Sequence, residues 1–504
     1  MEKHRLKEYL TALEDEGLLV DSETESGDGE KIIDCLTCDT RELSGTSLFI
    51  CKGVHFKAEY AEFAASHGAA ALIGEVKYSN GAPAVIVTDV RRAMSTLAKL
   101  FFNDAPSRVT SIGITGTKGK STTAYYLRAI LDDWMKADGR PDVAVISSID
   151  TYDGVERFES HLTTPEPIDL FRHFDNAAKS GISHLVMEVS SQALKYGRVA
   201  GIKFDVACFM NIGVDHISPV EHPDFEDYFR SKLKIFDNCH AACINSDSDR
   251  ADEILAYAKG KCRIVTFGTH PDDTVYCSHA ERRGDAIYFN VKTPEFEDEL
   301  CITMPGMFNV SNALAAIAMS YVLGVPEKYV ASGLLRARAA GRMQTYTSAD
   351  GKVVAVVDYA HNRMSFEALF KSMKIEYPGR KIVAVFGCPG GKAQLRRRDL
   401  AECADEYCDY IVITEEDSGE EPFRNIAKDI ASNISRCDYS VTEDRGEAIK
   451  RAVFYDDSEK IILITGKGEE TRQKRGTAYI DCPSDVEYVE KYLADYDLAA
   501  LAVN

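Results

Sequence analysis

From Val109 to Thr115 the chain is rich in β-branched and apolar residues, and beyond Lys120 the apolar positions Ala124, Leu127, Ile130 and Leu131 recur at helical spacing. The first pattern predicts a buried strand, the second a helix with one face inward. The exchange repeats downstream. Apolar runs at "AVISSI", "HLVMEV", "FDVACFMNI", "AACIN" and "RIVTFG" are separated by helical stretches, which predicts an α/β region whose parallel sheet carries helices on both faces. "AIYFNV" and "ELCITMPG" read as more exposed strands ahead of the helix "SNALAAIAMSYVLGV". A further α/β unit starts near Gly341, with strands "KVVAVVDYA", "KIVAVFG", "YIVIT" and "KIILITG". Before the central region, "TSLFICKGVHFKAEYAEFAASHGAAALIGE" gives a strand, a loop, a helix and another strand. The expected units are residues 1–107, 108–340 and 341–504. No internal repeat or low-complexity segment interrupts them, and the acidic run Asp247 to Asp252 reads as a solvated loop and helix start.

Length agrees with this division, since 504 residues suit about three domains at roughly 150 residues each. A hydrophobic content of 45% with 28% charged residues is that of an ordinary globular protein. The net charge of −21 argues against nucleic acid as a partner, because a phosphate backbone needs a basic face. No apolar run approaches the roughly 18 residues of a membrane span, so no membrane insertion is expected. The opening "MEKHRLKEYLTALEDEG" reads as a charged amphipathic helix and not a signal peptide. With that, the 14 scattered cysteines suggest reduced thiols in a cytoplasm. Cys35 and Cys38 form a C-x-x-C, but no second ligand pair at metal-site spacing accompanies them.

Candidate chemistry gathers at the ends of the predicted parallel strands, where such sheets place their ligands. Between the first central strand and its helix lies Gly116-Thr117-Lys118-Gly119-Lys120-Ser121. Glycines let backbone N–H groups curl around an anion, and the helix N-terminus adds its positive end. Lys120 suits terminal phosphates and the Ser121 hydroxyl suits magnesium. The two glycines are separated by two residues, where the common phosphate loop has four. Past "HLVM" comes Glu188-Val189-Ser190-Ser191, and past "ACFMNI" comes Asp215-His216. A carboxylate and an imidazole at the same sheet edge as a phosphate loop suit a magnesium shell.

These residues, taken in order, resemble the Mur ligases of peptidoglycan assembly, and within them the MurE type. "TGTKGKS" at Thr115 to Ser121 matches that family's shortened phosphate loop. "TTP" at Thr163, "MEVSSQAL" at Met187, "NIGVDHI" at Asn211, "FNVSNALAA" at Phe308, "GRMQ" at Gly341, "DYAHN" at Asp358 and "GKGEE" at Gly466 follow in the family's order, over nearly the whole chain. The resemblance implies a three-domain fold with a P-loop-type parallel-sheet central domain and a Rossmann-like C-terminal domain. It implies a bacterial cytoplasmic enzyme, read as a monomer, that uses ATP and Mg2+ to extend UDP-N-acetylmuramoyl-L-alanyl-D-glutamate by a diamino acid through an acyl phosphate. Gly116 to Thr122, Asn312, Arg342 and Asp358 are then the ATP contacts. Thr40, Thr163, Thr164, Ser190 and Arg198 face the UDP-linked substrate. Ser121, Glu188, His216 and a carbamylated Lys232 hold magnesium, while Lys234 is a solvated bystander. Lys120, Glu188, His216, Lys232 and Arg342 carry the catalysis. His361, Asn362, Arg397, Glu416, Asp417, Gly466 and Glu470 bind the incoming amino acid, with Arg396 or Arg398 as alternatives to Arg397.

The acceptor is where the chain departs from the best-known pattern. Enzymes of this type that add meso-diaminopimelate carry D-N-P-R, whose arginine helps clamp the extra carboxylate. Here "EEDSGEEP", Glu415 to Pro422, has no arginine, and acids there repel a carboxylate and favour an ammonium. L-lysine is the expected substrate, ahead of meso-diaminopimelate and ornithine. The lysine-specific motifs D-N-P-A and D-D-P-N are not matched either. Two other classes are weighed: a folylpolyglutamate-synthase-like ligase, which shares the phosphate loop and the lysine, and a non-catalytic nucleotide-binding scaffold. "EVSSQAL", "TTP" and "CDTRELSGTSLF" favour the nucleotide-peptide substrate over the first, and the presence of Lys120, Glu188 and Lys232 opposes the second.

Overall fold

A computed structural model describes residues 3–25, 27–53, 56–160, 162–218, 221–391 and 394–503. The chain builds three large sheets in sequence order. The central one is set by its apolar runs: Ala144–Ile146, His184–Glu188, Thr110–Thr115, Phe204–Phe209, Cys239–Asn245 and Arg263–Gly268 lie side by side in that spatial order, all parallel. His184 pairs with Thr110 and Glu188 with Ile114, while Phe209 on the other side pairs with Thr115, so three strands end level. Strands this apolar on both sides need cover on both faces. Helices Lys120–Ala137, Asn309–Leu323 and Glu327–Arg336 cover one face and Pro167–Lys179 and Phe225–Leu233 the other.

Further strands extend the sheet at both margins, Val275–Arg283 pairing parallel with Arg263–Gly268 and the others antiparallel with their neighbours. Val275–Arg283, Ala286–Lys292 and Glu297–Ile302 continue it beyond Arg263–Gly268, and the hairpin Asp150–Tyr152 with Arg157–Glu159 continues it beyond Ala144–Ile146. The N-terminal sheet has five strands, Leu19–Ser22 to Ala84–Val87, with Leu19–Ser22 antiparallel at its edge. The C-terminal sheet has six, in the order Gln344–Thr347, Val353–Asp358, Lys460–Thr465, Lys381–Phe386, Tyr410–Ile413, Asp438–Val441.

The cores do not divide as the sheets do. One continuous apolar cluster runs from Leu6 and Tyr9 through Leu97 to Phe171, Phe209 and Ile244, so the N-terminal sheet shares a core with one face of the central sheet. Helix Val90–Phe101 forms the joint, packing on Pro167–Lys179 and donating from Ser95 Oγ to the Gly197 carbonyl at 2.7 Å. A division at residue 107 therefore separates sheets but not hydrophobic cores. The C-terminal sheet has cores of its own on both faces. Among the described residues no helix is long and apolar enough to cross a membrane.

Candidate active site

The strand-end rule brings the phosphate loop, Glu188 and the Asp215–His216 pair to one edge, as the register requires. Together with the C-terminal sheet they line a cavity of about 720 Å³. A larger one of about 1130 Å³ adjoins it across Arg342 and Tyr359, but the phosphate loop and Glu416 line only the smaller.

The loop is shaped by Asn211, whose carbonyl accepts from Thr117 N at 3.1 Å and whose side chain bonds both ways with Lys118 backbone, at 2.9 and 3.0 Å. Gly119 stands at φ +83°, and a Cβ there would lie 2.2 Å from Asn312 Oδ1, so only glycine fits before helix Lys120–Ala137. Lys120 Nζ folds back on the Gly116 carbonyl at 3.0 Å. Burial pulls the Lys118 ammonium down to about 7 against the attraction of Asp215. A lysine so strained by burial gains from any anion entering the loop.

Glu188 Oε1 accepts from Ser148 N at 2.8 Å and Ser148 Oγ at 3.2 Å, and Ser148 Oγ lies 3.1 Å from Ser121 Oγ. His216 is oriented by Nδ1 against Glu221 Oε1 at 2.9 Å and leaves Nε2 3.8 Å from Asp215. Lys232 lies behind the loop, its Nζ donating to the Gly116 carbonyl at 2.9 Å, and burial drives its pKa well below the ordinary lysine value. Lys234 is exposed. The only described group of three or more acidic, His or Cys side chains close enough for one ion is Asp153, Glu156 and His173, away from this edge. Glu188, Ser121 and His216 thus form no closed cage. They suit magnesium, which keeps waters and phosphate oxygens and uses one or two carboxylates.

From the C-terminal sheet, Arg342 stacks 4.6 Å over the Tyr359 ring and reaches Ser121 Oγ at 3.3 Å. Asp358 accepts from Met343 N at 3.0 Å and Ala360 N at 2.8 Å, its pKa raised by burial. His361 turns Nε2 to Lys118 Nζ at 3.2 Å, and burial keeps its ring neutral. A phosphate loop, a magnesium-suited hydroxyl and carboxylate, and an arginine supplied from the next sheet make a site for moving a phosphoryl group.

Comparison with known proteins supports that chemistry. Residues 114–320 match the Mur ligase middle domain and 341–468 the Mur ligase, glutamate ligase domain. A UDP-N-acetylmuramoyl-L-alanyl-D-glutamate--L-lysine ligase of Enterococcus faecalis is 34% identical over 486 residues, covering 94% of this chain and 92% of its own. The chain belongs to the Mur ligase family. A UDP-N-acetylmuramyl-tripeptide synthetase of Lactobacillus acidophilus is 35% identical over 497 residues, with 92% and 93% covered. Among solved structures, a UDP-N-acetylmuramoyl-L-alanyl-D-glutamate--2,6-diaminopimelate ligase superposes with a TM-score of 0.67 at 22% identity, covering 98% of this chain and 99% of that one. This last likeness concerns the fold, three-domain and α/β. The chain is an ATP-using ligase of that family.

The residues of this Mur ligase expected to bind the amino acid separate in the structure. Glu416 lines the cavity, and its carboxylate accepts no hydrogen bond from any described residue. Burial pushes it up to about 7, against Arg445 and Arg396. Gly466, at φ +104°, makes room for it, since a Cβ there would sit 2.3 Å from Glu416 Oε2. Asp417 is engaged instead by Lys467 Nζ at 3.0 Å and Lys474 N at 2.9 Å. Glu470 takes Lys467 Nζ at 2.7 Å and the Tyr359 hydroxyl. Glu415 faces away, paired with Arg475 at 2.6 Å. None of these acids caps helix Phe423–Ala431, which starts from Pro422 without a side-chain cap.

Two expected contacts are corrected. Arg397 does not reach the cavity: its guanidinium is held by Glu421 at 2.6 Å and Asp429 at 2.8 Å. Arg396, one residue earlier on helix Leu395–Tyr407, lines the cavity in its place. Successive helical residues point about 100° apart, so register decides which arginine faces in. Asn362 is spent as the cap of helix Arg363–Glu376 and in a 2.6 Å bond to Asp215 Oδ2, and does not line the cavity.

Of the residues expected to face the UDP-linked substrate, Thr164 Oγ1 donates to the Glu188 carbonyl at 2.9 Å and accepts from Ser190 N at 3.0 Å. Arg198 donates to the Thr164 carbonyl at 3.0 Å and pairs with Glu166 at 2.7 Å, where Lys52 of the N-terminal sheet also arrives. Thr163 lines the cavity. Ser190 caps helix Ser191–Lys195, and Thr40 lies apart in the turn Thr40–Glu42 of the N-terminal sheet. Asn211 and Ser148 are site residues to which the motifs assign no role, whereas Arg396 is one of the two expected alternatives to Arg397. The strand-end rule finds Ser148, which lies two residues past the strand Ala144–Ile146, as Glu188 closes the neighbouring strand His184–Glu188.

Proposed function

We propose that this Mur ligase joins L-lysine to UDP-N-acetylmuramoyl-L-alanyl-D-glutamate, and that the residues above divide the work as follows. The glutamate carboxylate attacks the γ-phosphorus of ATP and ADP leaves, because a carboxylate oxygen is otherwise too poor a leaving group for amide formation. Lys120, Lys118 and Arg342, which line one cavity, would stabilise charge on the transferred group. The lysine amine then attacks the acyl phosphate, loses a proton, and phosphate departs. Ser121, Glu188 and His216 would hold magnesium, which supplies charge neutralisation of the phosphates when bound. A carbamate on Lys232 would add an anionic oxygen, and the uncharged amine that burial enforces there is the form that reacts with carbon dioxide.

The observation that carries the acceptor choice is Glu416: a buried carboxylate without an ion pair among the described residues, at the cavity wall, next to acids that are already engaged. An ammonium completes it, whereas a carboxylate is repelled. The relatives named above as lysine ligase and tripeptide synthetase, over more than nine-tenths of the chain, support the same reading. ATP-dependent phosphate release measured with the UDP-dipeptide and single amino acids tests it. L-lysine is expected to be used well above meso-diaminopimelate and ornithine.

A further inference from the structure

Asp215 belongs to the central sheet, and its side chain is 2% exposed. Its Oδ1 accepts from Arg396 Nη2 at 2.8 Å and its Oδ2 from Asn362 Nδ2 at 2.6 Å, both donors carried by helices packed on the C-terminal sheet. The phosphate-loop Lys118 stands 3.7 Å from Oδ2 and also touches His361. One carboxylate thus collects a loop cation and two donors from across the cavity. The Nε of Arg396 is buried and has no hydrogen-bond partner among the described residues, so this arginine is only half satisfied as it stands.

We propose that Asp215 and Arg396 form a closure clasp, with Asp215 a positioning residue that couples occupancy of the phosphate loop to seating of the C-terminal sheet. With the loop empty, Lys118 and Arg396 share one carboxylate. A polyphosphate in the loop draws Lys118 onto itself, because a multiply charged anion competes better for a buried ammonium than one shared carboxylate at 3.7 Å. Asp215 is then left to Arg396 and Asn362, and the C-terminal sheet is held more tightly. Linkage makes the effect mutual: seating of that sheet strengthens nucleotide binding. The proposal rests on the ligase reading above, which supplies the nucleotide.

The test uses the full chain, Asp215→Asn, Arg396→Gln, Arg396→Lys and the Asp215→Asn/Arg396→Gln double variant. Affinity for a non-hydrolysable ATP analogue is measured by calorimetry, and radius of gyration with and without it by solution scattering. In the wild type the analogue is expected to shrink the molecule. In Asp215→Asn and Arg396→Gln the analogue binds on the order of tenfold more weakly and the shrinkage is lost. The double variant loses no more than either single one, and Arg396→Lys regains part of the affinity. Additive losses in the double variant, or shrinkage retained in both single variants, would overturn the clasp. A wild type that binds the analogue but forms no ADP with the UDP-dipeptide and L-lysine would overturn the ligase reading instead.

Discussion

Replacing Glu416 by Gln removes one charge from the cavity wall and keeps the side chain's shape. In the wild type this carboxylate stands near 7 because burial outweighs Arg445 and Arg396. Only the ionised form attracts an ammonium, so about nine-tenths of the protein is competent at pH 8 and about one-tenth at pH 6. The apparent KM for L-lysine should therefore fall about tenfold from pH 6 to pH 8. Gln at 416 should abolish that dependence. It should raise the KM at pH 8 by about 30-fold or more, since losing one partner of a buried charge pair costs about 2–5 kcal/mol and 1.4 kcal/mol is tenfold. Stability moves the other way. A carboxyl raised from 4.5 to about 7 binds a proton more tightly in the folded state, so the wild type loses stability as pH rises through that window. The Gln variant lacks this loss and gains on the order of 3 kcal/mol above pH 7. Initial rates across pH at saturating ATP, with urea unfolding at pH 5 and pH 8, read both effects. An unchanged KM for L-lysine, with its pH dependence intact, would refute the reasoning.

Lys120→Ala should fold normally and lose on the order of a hundredfold or more in kcat for ADP formation, because a charge contact to the transferring group is gone. Near-normal ADP production would assign the loop to another anion. Lys232→Ala should be inactive and partly rescued by short carboxylates such as formate, whereas Lys234→Ala stays near wild type. An intact mass showing unmodified Lys232 in active enzyme would count against the carbamate. Arg397→Ala should lose about 2 kcal/mol of stability through its pairs with Glu421 and Asp429 while leaving the KM for L-lysine alone. A raised KM with unchanged stability would return Arg397 to the cavity.

Most of the fold is legible in the chain because the central and C-terminal strands are short apolar runs with helical pattern between them, and parallel sheets force that alternation. The same rule, applied to the strand ends, puts Glu188 and His216 beside the phosphate loop. What pattern cannot supply is facing. Three consecutive arginines, Arg396 to Arg398, start one helix, and its packing alone turns Arg396 inward and gives Arg397 to Glu421. Glu415, Glu416 and Asp417 look alike in sequence, yet Arg475, 60 residues after Glu415, and Lys467, 50 residues after Asp417, engage two of them and leave Glu416 open. The shared core of the N-terminal and central sheets is hidden for the same reason, since long-range packing leaves no local period.

The most direct measurement is a competition. Purified chain is given UDP-N-acetylmuramoyl-L-alanyl-D-glutamate, ATP, magnesium, and equal concentrations of L-lysine, meso-diaminopimelate and L-ornithine, and the UDP-linked products are resolved by mass. The account predicts a product heavier by one lysine residue as the dominant species, with one ADP and one phosphate formed per product. A dominant meso-diaminopimelate product would contradict it, and so would ADP formation that needs no UDP-dipeptide.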